Sequence, residues 1–285
     1  MSSLLSVPEL KSLCEQYRIR PTKDRGQNFL IDESVVKDAV AAAGITPADA
    51  VYEIGPGFGA LTFALAGAAG RVTAIEIESK LVKFLREECK RRSMKNVEIV
   101  EGDAIQFISS SVHQWSDFVV VASLPYSITS DFFSYILRDD HLPKRMVLII
   151  QKEVAERIYA RPPHMSLLSV IVQWYGKVEI LRIIPRSAFW PQPAVESALV
   201  RIDLRDAQAA ERRGNIKSET FFSFIKPAFR FPRRKIHTTL SLPHDNDICV
   251  NPRLNPRLSA LIERRPGELD IDDWIALFRS KYGEI

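Results

Sequence analysis

Four clusters of residues have types and spacings that suit chemistry on a nucleoside. The first is Val51-Tyr-Glu-Ile-Gly55-Pro-Gly57-Phe-Gly59-Ala-Leu-Thr62, an apolar run that enters a glycine-rich turn and continues as a helix-like stretch. Glycine at such a turn permits positive φ and lets a ligand approach the backbone. The second is Glu76, which follows Gly55 by 21 residues at the end of the next apolar run. An acid at the tip of a second strand can accept from both hydroxyls of a ribose. The third is Asp103, just past the apolar run 97–100 and followed by Ala104. It is placed to accept from an adenine amino group and can also cap a helix starting at Ala104. The fourth is Ala122-Ser-Leu-Pro-Tyr-Ser127. Pro125 biases Leu124 towards an extended backbone. That aims the Leu124 carbonyl and the Ser123 side chain at one small volume, with the flat ring of Tyr126 beside it. Such a group suits an exocyclic amine flanked by hydrogen-bond acceptors.

The first three clusters together read as a site for a nucleoside cofactor. The glycine spacing is Gly-x-Gly-x-Gly, whereas dinucleotide sites use Gly-x-Gly-x-x-Gly. A nicotinamide-dependent oxidoreductase is therefore disfavoured. The clusters need a scaffold that gathers strand ends into one crevice. From residue 33 to about 160, β-branched apolar runs at 50–54, 71–75, 97–100, 118–121 and 146–150 alternate with helix-like stretches. Nearly all-apolar strands alternating with helices predict a parallel sheet covered on both faces. The expected fold class is α/β, a Rossmann-like sheet, with a small helical domain at the C-terminus. The pattern also predicts a helix over 165–175, strands over 178–184 and 198–202 joined by a Pro-rich stretch, and a polar linker over 203–215. The expected domains are 1–204, catalytic, and 205–285, helical.

The chain has 285 residues, 46% of them hydrophobic and 26% charged, an ordinary globular balance. No apolar stretch approaches the ~20 residues of a membrane helix. No basic segment followed by a long apolar core opens the sequence, so no secretory signal is expected. Glu9 and Glu15 with no early arginine argue against a transit peptide. The three cysteines, Cys14, Cys89 and Cys249, and five histidines are scattered, so no metal site is expected and reduced thiols in a cytoplasm are. The net charge of +4 is unevenly spread. Residues 1–204 carry 24 basic and 24 acidic side chains, while 205–285 carry 15 and 11. Within 212–235 there are eight cations and one acid, Glu219. That block predicts a polyanion contact. Its interleaved phenylalanines read mostly as the core face of a helix.

The ordered motifs resemble those of the ribosomal-RNA adenine N6-dimethyltransferases, the KsgA-type family, over about residues 23–285. The residues that carry the resemblance are Gly26-Gln-Asn-Phe-Leu30, Glu53-Ile-Gly-Pro-Gly57, Ile75-Glu-Ile77, Gly102-Asp-Ala104 and Ser123-Leu-Pro-Tyr126. The resemblance continues through Gln151–Arg157, Ala188–Ser197 and Phe229–Lys235. It implies S-adenosyl-L-methionine as cofactor. Gln27, Asn28 and Leu30 would close over it, and Gly55 and Gly57 would approach its methionine part. Glu76 would hold the ribose, and Asp103 with Ala104 the adenine. Ser123, Leu124, Pro125 and Tyr126 would receive the target amine, and Tyr126 and Phe189 would sandwich its base. The resemblance further implies small-subunit ribosomal RNA as substrate, with two adjacent adenines near its 3′ end dimethylated during ribosome biogenesis. It implies a monomer that meets a pre-30S particle, with no membrane partner. Arg230, Arg233, Arg234 and Lys235 are the expected RNA contacts. Two positions depart from the family: Ser123 stands where Asn is usual, and Ser166-Leu-Leu-Ser169 replaces Gly-Arg-Leu-Ser. A non-catalytic RNA-binding assembly factor that retains the cofactor fold is the alternative reading of those departures.

Overall fold

The computed structural model describes residues 5–21, 27–111, 117–124, 129–137, 142–240 and 256–282. Among them are nine strands: β1 (Phe29–Leu30), β2 (Ala50–Ile54), β3 (Arg71–Glu76), β4 (Val97–Glu101), β5 (Phe118–Ser123), β6 (Arg145–Gln151), β7 (Lys177–Ile184), β8 (Phe189–Trp190) and β9 (Ser197–Asp203). The chain forms two compact units, one from Met1–Ala155 with Glu179–Leu204, the other from Glu156–Val178 with Arg205–Ile285. No described helix is long and apolar enough to cross a membrane.

The first unit is α/β. Its sheet has the order β4-β3-β2-β5-β6-β9-β7. β4, β3, β2, β5 and β6 run parallel to one another, and β9 is antiparallel to β6. The apolar strands are covered on both faces, as their composition requires. Val119, Val121 and Val147 pack with Val35, Val36 and Ala39 of the helix Glu33–Ala43. Ala74 and Ile99 belong to a second cluster with Leu81, Phe84 and Leu85 of the helix Ser79–Arg91. Strand order reverses at β2, with β3 on one side and β5 on the other. The crossover helices leave in opposite directions there, which opens a crevice at the carboxyl ends of β2 and β5.

Two small elements that the hydrophobic pattern did not announce border that crevice. β1 and β8 form an antiparallel ribbon, with Leu30 opposite Phe189 and Phe29 opposite Trp190. The helix Val7–Gln16 is started by Ser6, whose hydroxyl accepts from the Glu9 amide while Glu9 accepts from the Ser6 amide at 2.7 Å. This reciprocal cap satisfies donors the helix cannot use. Leu10, Cys14 and Ile19 pack on the cluster of Leu81, Phe84 and Leu85, and the Tyr17 hydroxyl donates to Glu87 at 2.5 Å.

The second unit is helical. Trp174, in the helix Leu167–Tyr175, stacks on Phe221 with 4.0 Å between ring centroids, and its indole N–H donates to Ser218 Oγ at 2.9 Å. Phe221 and Phe224 are buried in the helix Ser218–Phe229, as a core face demands. Two expectations are corrected. Residues 156–178 belong to this unit and not to the first, because Trp174 completes its core. The stretch 203–215 is not all linker, since Asp206 caps a helix Ala207–Arg213 by accepting from the Ala209 amide at 2.8 Å.

The turn that feeds β3 tolerates no side chain at Gly70. A Cβ there would lie 2.1 Å from the Pro47 carbonyl oxygen, which is backbone and cannot swing away. Gly70→Ala is expected to lower stability by roughly 1–3 kcal/mol, the usual cost of overpacking. A urea midpoint within error of wild type would show that the 47–49 turn gives way freely.

Candidate cofactor and active site

A cavity of about 550 Å³ lies at the carboxyl ends of β2, β3, β4 and β5. Gln27, Asn28, Leu30, Gly55, Gly57, Glu76, Asp103, Ala104 and Ser123 all line it. The structure thus brings together every position expected to hold the cofactor. Parallel register does much of this work: Ile54 on β2 is paired with Ile75 on β3 and with Ala122 on β5. The next residues out, Gly55, Glu76 and Ser123, therefore share one rim.

The glycine turn is shaped by its neighbours. Gly57 has φ +57°, and a Cβ on it would come within 3.0 Å of the Phe29 ring. Phe29 is itself held edge-on to Phe58, with centroids 4.7 Å apart. The ribbon strand β1 thus presses on the turn and places Gln27 and Asn28 at the cavity.

Glu76 is 6% exposed. Its Oε2 accepts from the Gly57 amide at 3.1 Å and its Oε1 from the Glu78 amide at 3.0 Å. These bonds fix both oxygens and leave lone pairs for donors on a ligand. Burial raises its pKa, against the pull of those amides. Asp103 Oδ1 accepts from the Ile105 amide at 2.7 Å and the Gln106 amide at 3.3 Å, so it caps the helix Ala104–Ser111. Oδ2 takes no part in the cap, and Asp103 also lines the cavity.

Sequence reasoning missed Glu53. It lies on β2, 1% exposed, and lines the cavity. Among the described residues its Oε2 has no hydrogen-bond partner of normal geometry; the neighbouring Thr62 hydroxyl and backbone favour its charged form without offsetting its burial. Burial pushes its pKa up to about 8, and the neighbouring charge of Glu76 adds to the rise. No cation among the described residues offsets either acid. The available signal was a lone acid inside an apolar strand, two residues before the glycine turn. Leu5 and Leu10 were also missed; they add apolar wall from the N-terminal helix region. Among the described residues no three metal-ligating side chains are grouped.

The expected acceptor residues fare differently. Ser123 is at the rim, and the Leu124 amide donates to the Ile149 carbonyl at 3.0 Å, which fixes that peptide. Pro125 and Tyr126 lie outside the described residues. Phe189 corrects the expectation of an open stacking ring. It is 3% exposed and belongs to the core cluster with Leu30 and Ala188. Strand alternation in β8 turns Phe189 inward and leaves Trp190 half-buried, stacked on Phe29 at 6.5 Å.

The cavity offers apolar walls, the two buried acids Glu53 and Glu76, and the helix-capping Asp103. That donor set fits a ligand with a flat base, a ribose diol and a positive charge. S-adenosylmethionine has all three, and the fold and cavity define a Rossmann-like methyltransferase that depends on it. The profile of the ribosomal RNA adenine dimethylase family matches residues 20–256. The chain belongs to that family. It is similar to the ribosomal RNA small subunit methyltransferase A of Clostridium botulinum (strain Loch Maree / Type A3), 36% identical over 85% of this chain and 87% of the relative. The protein of the same name from Dehalococcoides mccartyi (strain ATCC BAA-2266 / KCTC 15142 / 195) is 35% identical over 82% of this chain and 79% of its own. Among solved structures, a dimethyladenosine transferase from Plasmodium falciparum superposes with a TM-score of 0.74 at 26% identity, covering 90% of this chain and 98% of that one. The 23S rRNA methyltransferase ErmE gives 0.69 at 25% identity, covering 90% and 100%.

Two outcomes are expected of the acids. Glu76→Ala should weaken S-adenosylmethionine binding by at least tenfold in calorimetry, since a hydrogen bond to a charged group is worth about 1.5–3 kcal/mol. Unchanged affinity would remove Glu76 from the ribose site. Glu53, with its pKa near 8, is mostly protonated below that pH. A cationic ligand favours the carboxylate, so affinity should rise with pH from about 6 to 8 and level off above. Glu53→Gln should flatten that rise; an equal rise in the variant would assign it to another group.

Proposed function

We propose that this protein transfers methyl groups from S-adenosylmethionine to the N6 amines of adenines in small-subunit ribosomal RNA. We further infer that two adjacent adenines near the 3′ end are dimethylated, on a pre-30S particle, by a monomer in the cytoplasm. The observation that carries the reading is the meeting of Ser123 with Gly55, Glu76 and Asp103 on one cavity. It supports reading Ser123 as an amine acceptor beside a cofactor site at the strand-order reversal.

S-adenosylmethionine supplies an electrophilic methyl group. The chain's own part is to hold and orient. Glu76 grips the ribose, Asp103 Oδ2 the adenine, and Gln27, Asn28 and Leu30 close the near side. The glycines at 55 and 57 let the methionine end lie against the backbone. The target amine is a poor nucleophile because its lone pair is delocalised into the ring. Hydrogen bonds from its N–H groups to Ser123 Oγ and the Leu124 carbonyl favour a pyramidal nitrogen. Positioning then contributes much of the rate, with no strong base required. The proton leaves after transfer, when the amine has become acidic. Tyr126 serves as a stacking ring for the base in this reading.

In the second unit Arg230, Arg233, Arg234 and Lys235 are all exposed. Lys235 is paired with Glu263 at 2.7 Å, so the arginines carry more of the free charge. These four residues are the proposed contacts to RNA phosphates.

Incubation with labelled S-adenosylmethionine and under-methylated small subunits, followed by nucleoside mass spectrometry, should yield N6,N6-dimethyladenosine. No methylated adenine would favour the assembly-factor reading. Ser123→Asn should raise the ratio of dimethyl to monomethyl product, because the amide oxygen reaches further than the hydroxyl. An unchanged ratio would mean Ser123 suffices. The Arg233→Ala, Arg234→Ala, Lys235→Ala triple variant should bind ribosomal RNA more weakly and with a smaller salt slope, since each phosphate contact releases counterions. Unchanged binding across salt would move the RNA surface elsewhere.

A further inference from the structure

Phe231, in the turn after the helix Ser218–Phe229, departs from that helix's pattern. Phe221 and Phe224 are buried, but Phe231 is 49% exposed. The guanidinium carbon of Arg234 lies over its ring, 4.8 Å from the centroid. The pair is held on a hydrogen-bonded turn: the Phe231 amide donates to the Ala228 carbonyl at 3.2 Å and the Arg234 amide to the Phe231 carbonyl at 2.9 Å. A single exposed apolar side chain is ordinary. This one is different because it stands within a block of eight cations and one acid. Its chain neighbours Arg230 and Pro232 line a groove of about 490 Å³ together with Met165, Lys226 and Phe229. Its volume is within the range of sites that take small ligands, roughly 300–1,000 Å³.

We infer that the Phe231 ring and the Arg234 guanidinium form one stacking surface for a single unpaired base of the RNA substrate. Lys226 and Arg230 would meet the phosphates on either side of it. Proteins read unpaired RNA by stacking bases on aromatic rings and on arginine planes. A bare phosphate-binding face has no use for an exposed phenyl ring. The rigid turn means that little ordering entropy is lost when a base lands on it. The surface would thus favour single-stranded segments over duplex. This inference rests on the RNA reading given above, and it adds a base contact distant in sequence from the methyl-transfer residues.

The test uses the full chain, with fluorescence anisotropy of a single-stranded oligoadenylate and of an RNA duplex of equal length, each across a salt series. Phe231→Ala should weaken oligoadenylate binding about fivefold or more, from the loss of one stacked base. Duplex binding should hold, and the salt slope should not change, because no cation is removed. Phe231→Trp should retain or strengthen oligoadenylate binding. S-adenosylmethionine affinity, measured alongside, reports that the variants are folded. Equal loss on both RNAs, a changed slope, or no loss in Phe231→Ala would overturn the stacking surface. If the triple variant at 233–235 still loses affinity in that case, the basic block remains an RNA face without a stacking role. If neither variant loses affinity, the RNA reading of this unit fails together with the inference.

Discussion

Glu53 and Glu76 are buried at the ends of adjacent strands with no cation between them among the described residues. Isolated buried charge is costly, and a protein normally pairs it or neutralises it. Here Glu76 is partly satisfied by two backbone amides, whereas burial pushes the Glu53 pKa up to about 8 against the pull of Thr62. The arrangement makes sense when a cationic, hydroxyl-bearing ligand completes it. The rest of the first unit can be read as the scaffold that holds these two acids in place. Apolar strands packed on both faces supply the low dielectric, and the glycine turn brings the Gly57 amide to Glu76.

The same constraint links the small elements to the site. β1 presses Phe29 against the space that a Cβ at Gly57 would occupy, so the turn and the ribbon fix one another. The N-terminal helix adds Leu10 to the cavity wall while anchoring through Cys14 and Ile19 in the adjoining core. Asp103 shows a parallel economy: one oxygen starts a helix, and the residue also lines the cavity.

Much of this was legible in the sequence because its physics is local. The runs at 50–54 and 71–75 are apolar and β-branched, and they become β2 and β3. The glycine turn, Glu76 and Asp103 are set at strand ends by spacing alone. What escaped has a different origin. β1 and β8 are two-residue strands whose existence depends on each other, which no periodicity announces. Phe189 looked like a candidate stacking ring because it stands in a family-like motif, but pairing with Leu30 turns it into the core. Residues 156–178 read as part of the catalytic domain in sequence order, yet Trp174 finds its partners at Ser218 and Phe221. Glu53 was overlooked because an acid in a buried strand gains its meaning only when the cavity beside it is seen.

The most direct measurement is titration of the Glu53 carboxyl itself, by carbon-13 NMR with Glu53→Gln to assign the resonance. In the free protein the midpoint should lie near pH 8. With saturating S-adenosylmethionine it should fall well below 7, because the cation stabilises the carboxylate. A midpoint near the ordinary carboxylate range of about 4.3 in the free protein, or one unmoved by the cofactor, would contradict the account.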